Sequence, residues 1–147
     1  MDTEPAPSSD DLDREYRYYL SALTQFHLAT AEAGGLHPTD YQASSILELD
    51  GPLTSGQLSQ RLGLSPSATT RVIDRLITAG IAERTRDHGD RRRVMVAHSG
   101  RLPVEVMERL EQVRVPIAQV VADLSDEQRH GLRKYFQAAT TAYRDGS

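Results

Sequence analysis

The sequence predicts a mostly helical α+β fold, and three observations carry that expectation. Apolar residues recur every three or four positions along most of the chain. Two short helical patterns are separated only by Gly63-Leu64. A single pair of strand-length runs, residues 81–86 and 93–98, flanks the turn-forming Asp87-His88-Gly89-Asp90.

Taken in order, residues 1–8 are acidic and rich in Pro and Ser, with no signal-peptide pattern, and are expected to be disordered. From about Ser9, the positions Leu12, Tyr16, Tyr19, Leu20, Leu23, Phe26 and His27 mark an amphipathic helix ending near Gly34-Gly35. Thr39-Asp40-Tyr41-Gln42 has capping-box form and starts a helix carrying Ile46, Leu47 and Leu49, stopped by Asp50-Gly51-Pro52. Thr54-Ser55-Gly56-Gln57 repeats the pattern and opens a short helix with Leu58 and Leu62 facing inward. Gly63 breaks it. Ser65 as N-cap and Pro66 at the first helical position then start a helix to about Ala79, which Gly80 closes. Its apolar stripe is Ala68, Val72, Ile73, Leu76 and Ile77, with Ser67, Thr70, Arg71, Asp74 and Arg75 mainly elsewhere. Two short strands with a basic tip follow. Residues 102–124 are helical by period, with Pro116 expected to kink or interrupt them. Ser125-Asp126-Glu127-Gln128 is a third capping box, before a last helix with Leu132, Tyr135, Phe136, Ala139 and Tyr143.

Composition narrows the function classes. An apolar content of 38% over 147 residues is low for a self-sufficient core, and is tolerable when a partner chain completes it. With no cysteine there are no disulfides and no thiolate metal sites. That absence suits the cytoplasm, and no apolar run approaches the ~20 residues of a membrane span, so a cytoplasmic protein without membrane partners is expected. The net charge of −4 is unevenly placed: residues 61–101 hold nine arginines against four acids, +5, which leaves −9 for the rest. A basic segment on an acidic body is the footprint of a polyanion partner. Lys134 is the one lysine, and arginine forks suit phosphate and guanine.

The residues Leu58, Leu62-Gly63-Leu64-Ser65, Thr70-Arg71-Val72-Ile73-Asp74-Arg75-Leu76, Gly80-Ile81-Ala82-Glu83-Arg84 and Asp90-Arg91-Arg92 together resemble the multiple antibiotic resistance regulator (MarR) family. Pro66 and the strand end Ala97-His98-Ser99-Gly100 depart from its usual pattern. The resemblance runs over nearly the whole chain. It implies a winged helix-turn-helix with N- and C-terminal dimerisation helices. Residues 39–101 would form the DNA-binding domain, and residues 9–38 and 102–147 the helical dimerisation region. It further implies that Arg92 enters the minor groove, that Arg84 and Asp90 pair to support the wing, and that small aromatic or phenolic anions bind between the two regions.

The physics of such roles stands apart from any family. A helix fits the major groove, and its exposed polar side chains reach bases and phosphates. Ser65, Ser67, Thr69, Thr70, Arg71 and Arg75 are the candidates. Arg71 and Arg75 either fork onto guanine or neutralise phosphate, and Arg75 has a further reading as a surface ion pair, with Asp74's neighbours or Glu83. At the hairpin tip, Arg91, Arg92 and Arg93 suit the negative potential of a narrow minor groove. Tyr16, Tyr19, His27 and Tyr41 are candidate ligand-pocket residues, offering apolar walls with polar tips. Leu12, Tyr16, Leu124, Leu132, Phe136 and Tyr143 are candidate dimer-interface positions. The histidines at 27, 37, 88, 98 and 130 lack close metal spacing. No Gly-rich phosphate loop, Gly-x-Ser-x-Gly elbow or Cys/His pair is present. No enzyme, metal or cofactor is therefore expected. The reading is a homodimeric transcriptional regulator, a repressor, on a pseudo-palindromic operator in double-stranded DNA, released by a small phenolic or aromatic effector. The alternatives are a metal-responsive regulator and a winged-helix protein-interaction module.

Overall fold

Helix caps set most of the element boundaries. The structure, a computed structural model, describes residues 4–147, so the first three of the eight residues expected to be disordered lie outside the described residues. Ser8, the last of them, is part of the helix start: its hydroxyl accepts from the Asp11 N–H at 3.2 Å, and the Asp11 carboxylate accepts from the Ser8 N–H at 3.1 Å. This capping box opens α1 (Ser9–Ala33). Gly34 follows, where an added methyl group would collide with Val106, so a glycine is what lets the later helix approach so closely.

Helix α2 (Pro38–Asp50) begins earlier than the Thr39 capping pattern predicts. Pro38 sits at the first helical position with its φ already helical, and His37 becomes an N-cap without a side-chain bond. Thr39 and Asp40 thereby fall inside the first turn and are released for other partners. Helix α3 (Ser55–Leu62) starts at the expected Thr54–Gln57 box and ends at Gly63, which is left-handed at φ 65°. Helix α4 (Pro66–Thr78) starts where the Ser65 hydroxyl accepts from the Ala68 N–H at 3.2 Å, and Gly80 turns the chain at φ 74°.

Strands β1 (Ala82–Arg86) and β2 (Val94–His98) pair antiparallel, with Ala82 opposite His98 and Arg86 opposite Val94. Leu53 adds a bridge to Val96, exchanging backbone bonds of 3.0 and 2.7 Å, a third contributor with no pattern in the sequence. Helix α5 (Val104–Asp123) runs on through Pro116, which does not interrupt it. The carbonyl deprived of a partner belongs to Gln112 on an exposed turn, where water can serve it. Helix α6 (Asp126–Asp145) opens at the expected Ser125–Gln128 box, and Arg129 donates to the C-terminal carbonyls of α5, Val121 at 3.3 Å and Ala122 at 2.9 Å.

The main core joins Ala43 and Leu47 of α2, Leu53, Leu58 of α3, Val72, Ile73 and Leu76 of α4, and Ile81, Ala82 and Val96 of the hairpin. Each large member contributes on the order of 1.5–3 kcal/mol through burial. A second, small cluster joins Ala31 of α1, Tyr41 of α2 and Val106 of α5. Helix α6 has no buried residue. Fourteen of sixteen exposed large hydrophobic side chains among the described residues lie on α1, α5 and α6.

Candidate nucleic-acid interface

Helix α4 buries Thr69, Val72, Ile73 and Leu76, a face with spacing i, i+3, i+4, i+7. That spacing corrects the expectation for Thr69. It is fully buried, its hydroxyl donates to the Ser65 carbonyl at 3.0 Å, and it cannot reach a base. Ser65, Ser67, Thr70 and Arg71 are exposed. Ser65 is occupied as the cap and lies 3.3 Å from the Ser67 hydroxyl, while the Thr70 hydroxyl turns back to the Pro66 carbonyl at 3.0 Å. A recess of about 290 Å³ opens beside this helix, lined by Thr39, Leu64, Ala68, Arg71, Val72 and Arg75.

Arg75 has a partner that neither Asp74's neighbours nor Glu83 provide. Its Nε donates to Asp40 Oδ2 at 2.8 Å and its Nη2 to Asp40 Oδ1 at 2.7 Å. The Asp40 side chain is 4% exposed and the Arg75 side chain 44%. Hydrogen bonding to Asp40 raises the Arg75 pKa further, so the guanidinium stays charged, and both arms of its fork are held by Asp40.

The wing also departs from expectation in its support. Arg84 does not pair with Asp90; it donates to Asp74 of α4 at 3.0 Å. Arg84 lies two residues inside the strand end, about 7 Å back from Arg86 by strand rise, so α4 is nearer than the tip. Asp90 instead builds the tip itself, its carboxylate accepting from the Arg92 N–H and its carbonyl from the Arg93 N–H, both at 3.0 Å. Arg93 faces Asp87 at 3.7 Å. Arg91 and Arg92 are exposed and have no ion-pair partner among the described residues, and the same holds for Arg71.

The four residues expected to line one pocket divide into two groups. Tyr16 hydrogen-bonds Tyr143 and stands edge-on to Tyr135 with centroids 6.5 Å apart. The Tyr143 bond pushes the Tyr16 pKa up to about 12. Tyr19 is exposed on the same stretch of α1. Two turns further on, His27 packs between Phe26 and Tyr41, at 5.8 and 5.6 Å. Burial lowers the His27 pKa; burial, and then the charge of Glu48, raise that of Tyr41. The helical rise separates the groups, since residues 16 and 27 are about 16 Å apart along one helix. Arg109, absent from the expected set, joins the second group: its guanidinium lies 5.8 Å over the Phe26 ring, and its Nε donates to the buried Thr30 hydroxyl at 3.3 Å. The signal for it was an arginine at helical spacing from Val106 and beside Leu110. Among the expected interface positions, Tyr16 meets Tyr143, Leu124 and Leu132 are half-buried, and Leu12 and Phe136 are exposed. Among the described residues, no three His, Asp or Glu side chains converge on one point, and no helix is long and apolar enough to cross a membrane.

A capped short helix, a left-handed glycine turn, a second helix and a basic two-stranded hairpin define a winged helix-turn-helix protein. Residues 37–94 match the family model described as MarR family. The chain is similar to an HTH-type transcriptional regulator of Bacillus subtilis, YcgE, described as uncharacterized, at 46% identity over 71 residues. That match covers 48% of this chain and spans about half of the relative's length, 46%. It is similar over more of its length to the HTH-type transcriptional repressor MdtR of the same organism, at 27% identity, with 91% of this chain and 92% of the other covered. Among solved structures, a MarR family protein from Bacillus stearothermophilus superposes with a TM-score of 0.66 at 27% identity, covering 92% of this chain and 99% of that one. Together these similarities support a transcriptional regulator of the MarR family.

Proposed function

We propose that the protein is a homodimeric, cytoplasmic repressor that reads double-stranded DNA with α4 and the wing. The observation that carries this reading is the exposed arginine set, Arg71 on α4 with Arg91 and Arg92 at the wing tip, none neutralised by a carboxylate among the described residues. In a chain that is otherwise acidic, such a set is held for phosphate and for groove edges. Ser65, Ser67 and Thr70 lie on the same exposed side and take the remaining contacts. Residues 39–101 form the reading lobe. The exposed apolar sides of α1, α5 and α6 form the seam between two copies, and two-fold symmetry then sets the two α4 helices about 34 Å apart on a pseudo-palindromic site. Repression follows the similarity to MdtR.

A small aromatic or phenolic acid is the effector this reading favours, because Phe26, His27 and Tyr41 supply ring surfaces beside the Arg109 cation. Its action is a population shift toward dimers whose α4 spacing does not match DNA.

The test is a fluorescence anisotropy titration of the full chain on a labelled duplex across a salt series. Arg92→Ala weakens binding by about tenfold and lowers the salt slope by about one unit. Binding that is unchanged in both respects removes the wing from the account.

A further inference from the structure

Arg75 carries its charge on the side of α4 that the proposed reading turns toward DNA, yet both arms of its fork are spent on a nearly buried carboxylate. Asp40 lies in the first turn of α2 and is followed by Tyr41, which is fixed in the small cluster with Ala31 of α1 and Val106 of α5. Arg75 stands one turn beyond Arg71 and two beyond Ser67, so all three share one face of α4. A bidentate guanidinium–carboxylate pair fixes both distance and orientation, which a single ammonium contact does not. We infer that Arg75 is a positioning residue, not a DNA contact: the Asp40–Arg75 pair locks the rotation of α4 against α2, and so sets how Ser67 and Arg71 meet the major groove.

This rests on the DNA-reading proposal and adds a consequence that simple electrostatics reverses. Asp40 is a negative charge beside the face that meets a polyanion. By charge alone, neutralising it strengthens DNA binding, and the released Arg75 adds a phosphate contact. By the lock, neutralising it lets α4 populate other rotations, and apparent affinity falls with the fraction still correctly set. The unused Thr39 capping pattern fits the same arrangement. With Pro38 starting the helix, Asp40 is free of any capping duty and its side chain turns inward to Arg75.

The experiment measures equilibrium binding of the protein to a fixed duplex over a salt series, with thermal melts of each variant. Arg92→Ala is included to test the DNA reading separately. The lock predicts that Asp40→Asn weakens binding by about tenfold with an unchanged salt slope. It predicts a similar loss for Arg75→Lys, which keeps the charge at a half-exposed position that tolerates lysine but loses the fork. It also predicts that combining Asp40→Asn with Arg75→Gln costs no more than the worse single change, because an amide pair restores the contact. Tighter binding by Asp40→Asn, or full binding by Arg75→Lys, overturns the lock. So does a unit fall in salt slope on Arg75→Gln that Asp40→Asn leaves untouched, since that assigns Arg75 to phosphate. If Asp40→Asn melts below the assay temperature, Arg75→Lys decides alone. A wild-type protein that does not bind DNA overturns the reading itself and the lock with it, whereas a wild type that binds and loses affinity on Arg92→Ala isolates the fate of the lock.

Discussion

The reading lobe and the terminal helices are built on opposite terms. Between α2 and β2, ten buried side chains close over one another into one core, with Leu36 and Leu102 packed against it from the two flanks. Helices α1, α5 and α6 are longer, yet α5 buries only Val106 and α6 buries nothing. Their large apolar side chains face outward, Phe136 half-exposed and Ile117 and Val120 more so. Both regions use the same helix chemistry, with capping boxes of identical form at Thr54 and at Ser125. The difference is therefore not in how the helices start but in what their apolar faces rest against. A lobe with its own core keeps its shape while it moves as a unit. On the proposed dimer reading, a body completed by another copy lets that movement be set by how the copies pack.

The largest expected effect tests the closed core. Leu76→Ala removes a fully buried side chain where α4 packs inward and costs about 3 kcal/mol, read by denaturant unfolding. A cost below about 1 kcal/mol means the lobe core relaxes freely and is not the rigid unit described. Next is the open face: Phe136→Glu places a charge on α6 and shifts the protein to monomers in sedimentation, weakening DNA binding about a hundredfold through loss of two-site attachment. A Phe136→Glu protein that remains dimeric puts the seam elsewhere.

Smaller effects sharpen the comparison. Thr54→Ala and Ser125→Ala each remove a cap and cost about 1 kcal/mol. Near-equal losses in chemical denaturation place the contrast in burial; a markedly larger loss in one region places it in the helices themselves. The smallest effect concerns His27 at the junction. Unfolded, it titrates near 6.5, and burial lowers it in the folded chain. The unfolded chain thus binds more protons between the two values. Stability is complete above about 6.5 and falls as the pH drops through the folded value. His27→Gln flattens that part of the melting-temperature profile, and an unchanged slope assigns it to another group.

Particular residues show why some features were legible and others were not. Ser65 with Pro66, Gly63 and Gly80 act on backbone bonds within three or four residues, so their effects are written locally and the reading helix appears at its expected bounds. The turn residues Asp87-His88-Gly89-Asp90 mark the wing for the same reason. Thr69 was legible in principle, because the period of α4 places it on the buried face, but its residue type suggested a polar role. Thr39 failed as a cap because the neighbouring Pro38 competes for the same helix start. Asp90 and Arg84 fit as partners by charge and not by distance, since the strand carries one away from the other.

What the sequence by itself determined is the order of elements, their caps and stops, and the placing of a basic segment on an acidic chain, because these depend on neighbours along the backbone and on composition. Only the tertiary structure decided which charges remain available. Arg71, Arg91 and Arg92 stay exposed, Arg93 faces Asp87, Arg84 goes to Asp74, and Arg75 goes to Asp40, 35 residues away in the chain. Periodicity places a side chain on a face, but an ion pair needs two faces brought within about 3 Å, and that distance is set by how α2, α4 and the hairpin pack around Leu47, Leu58 and Leu76.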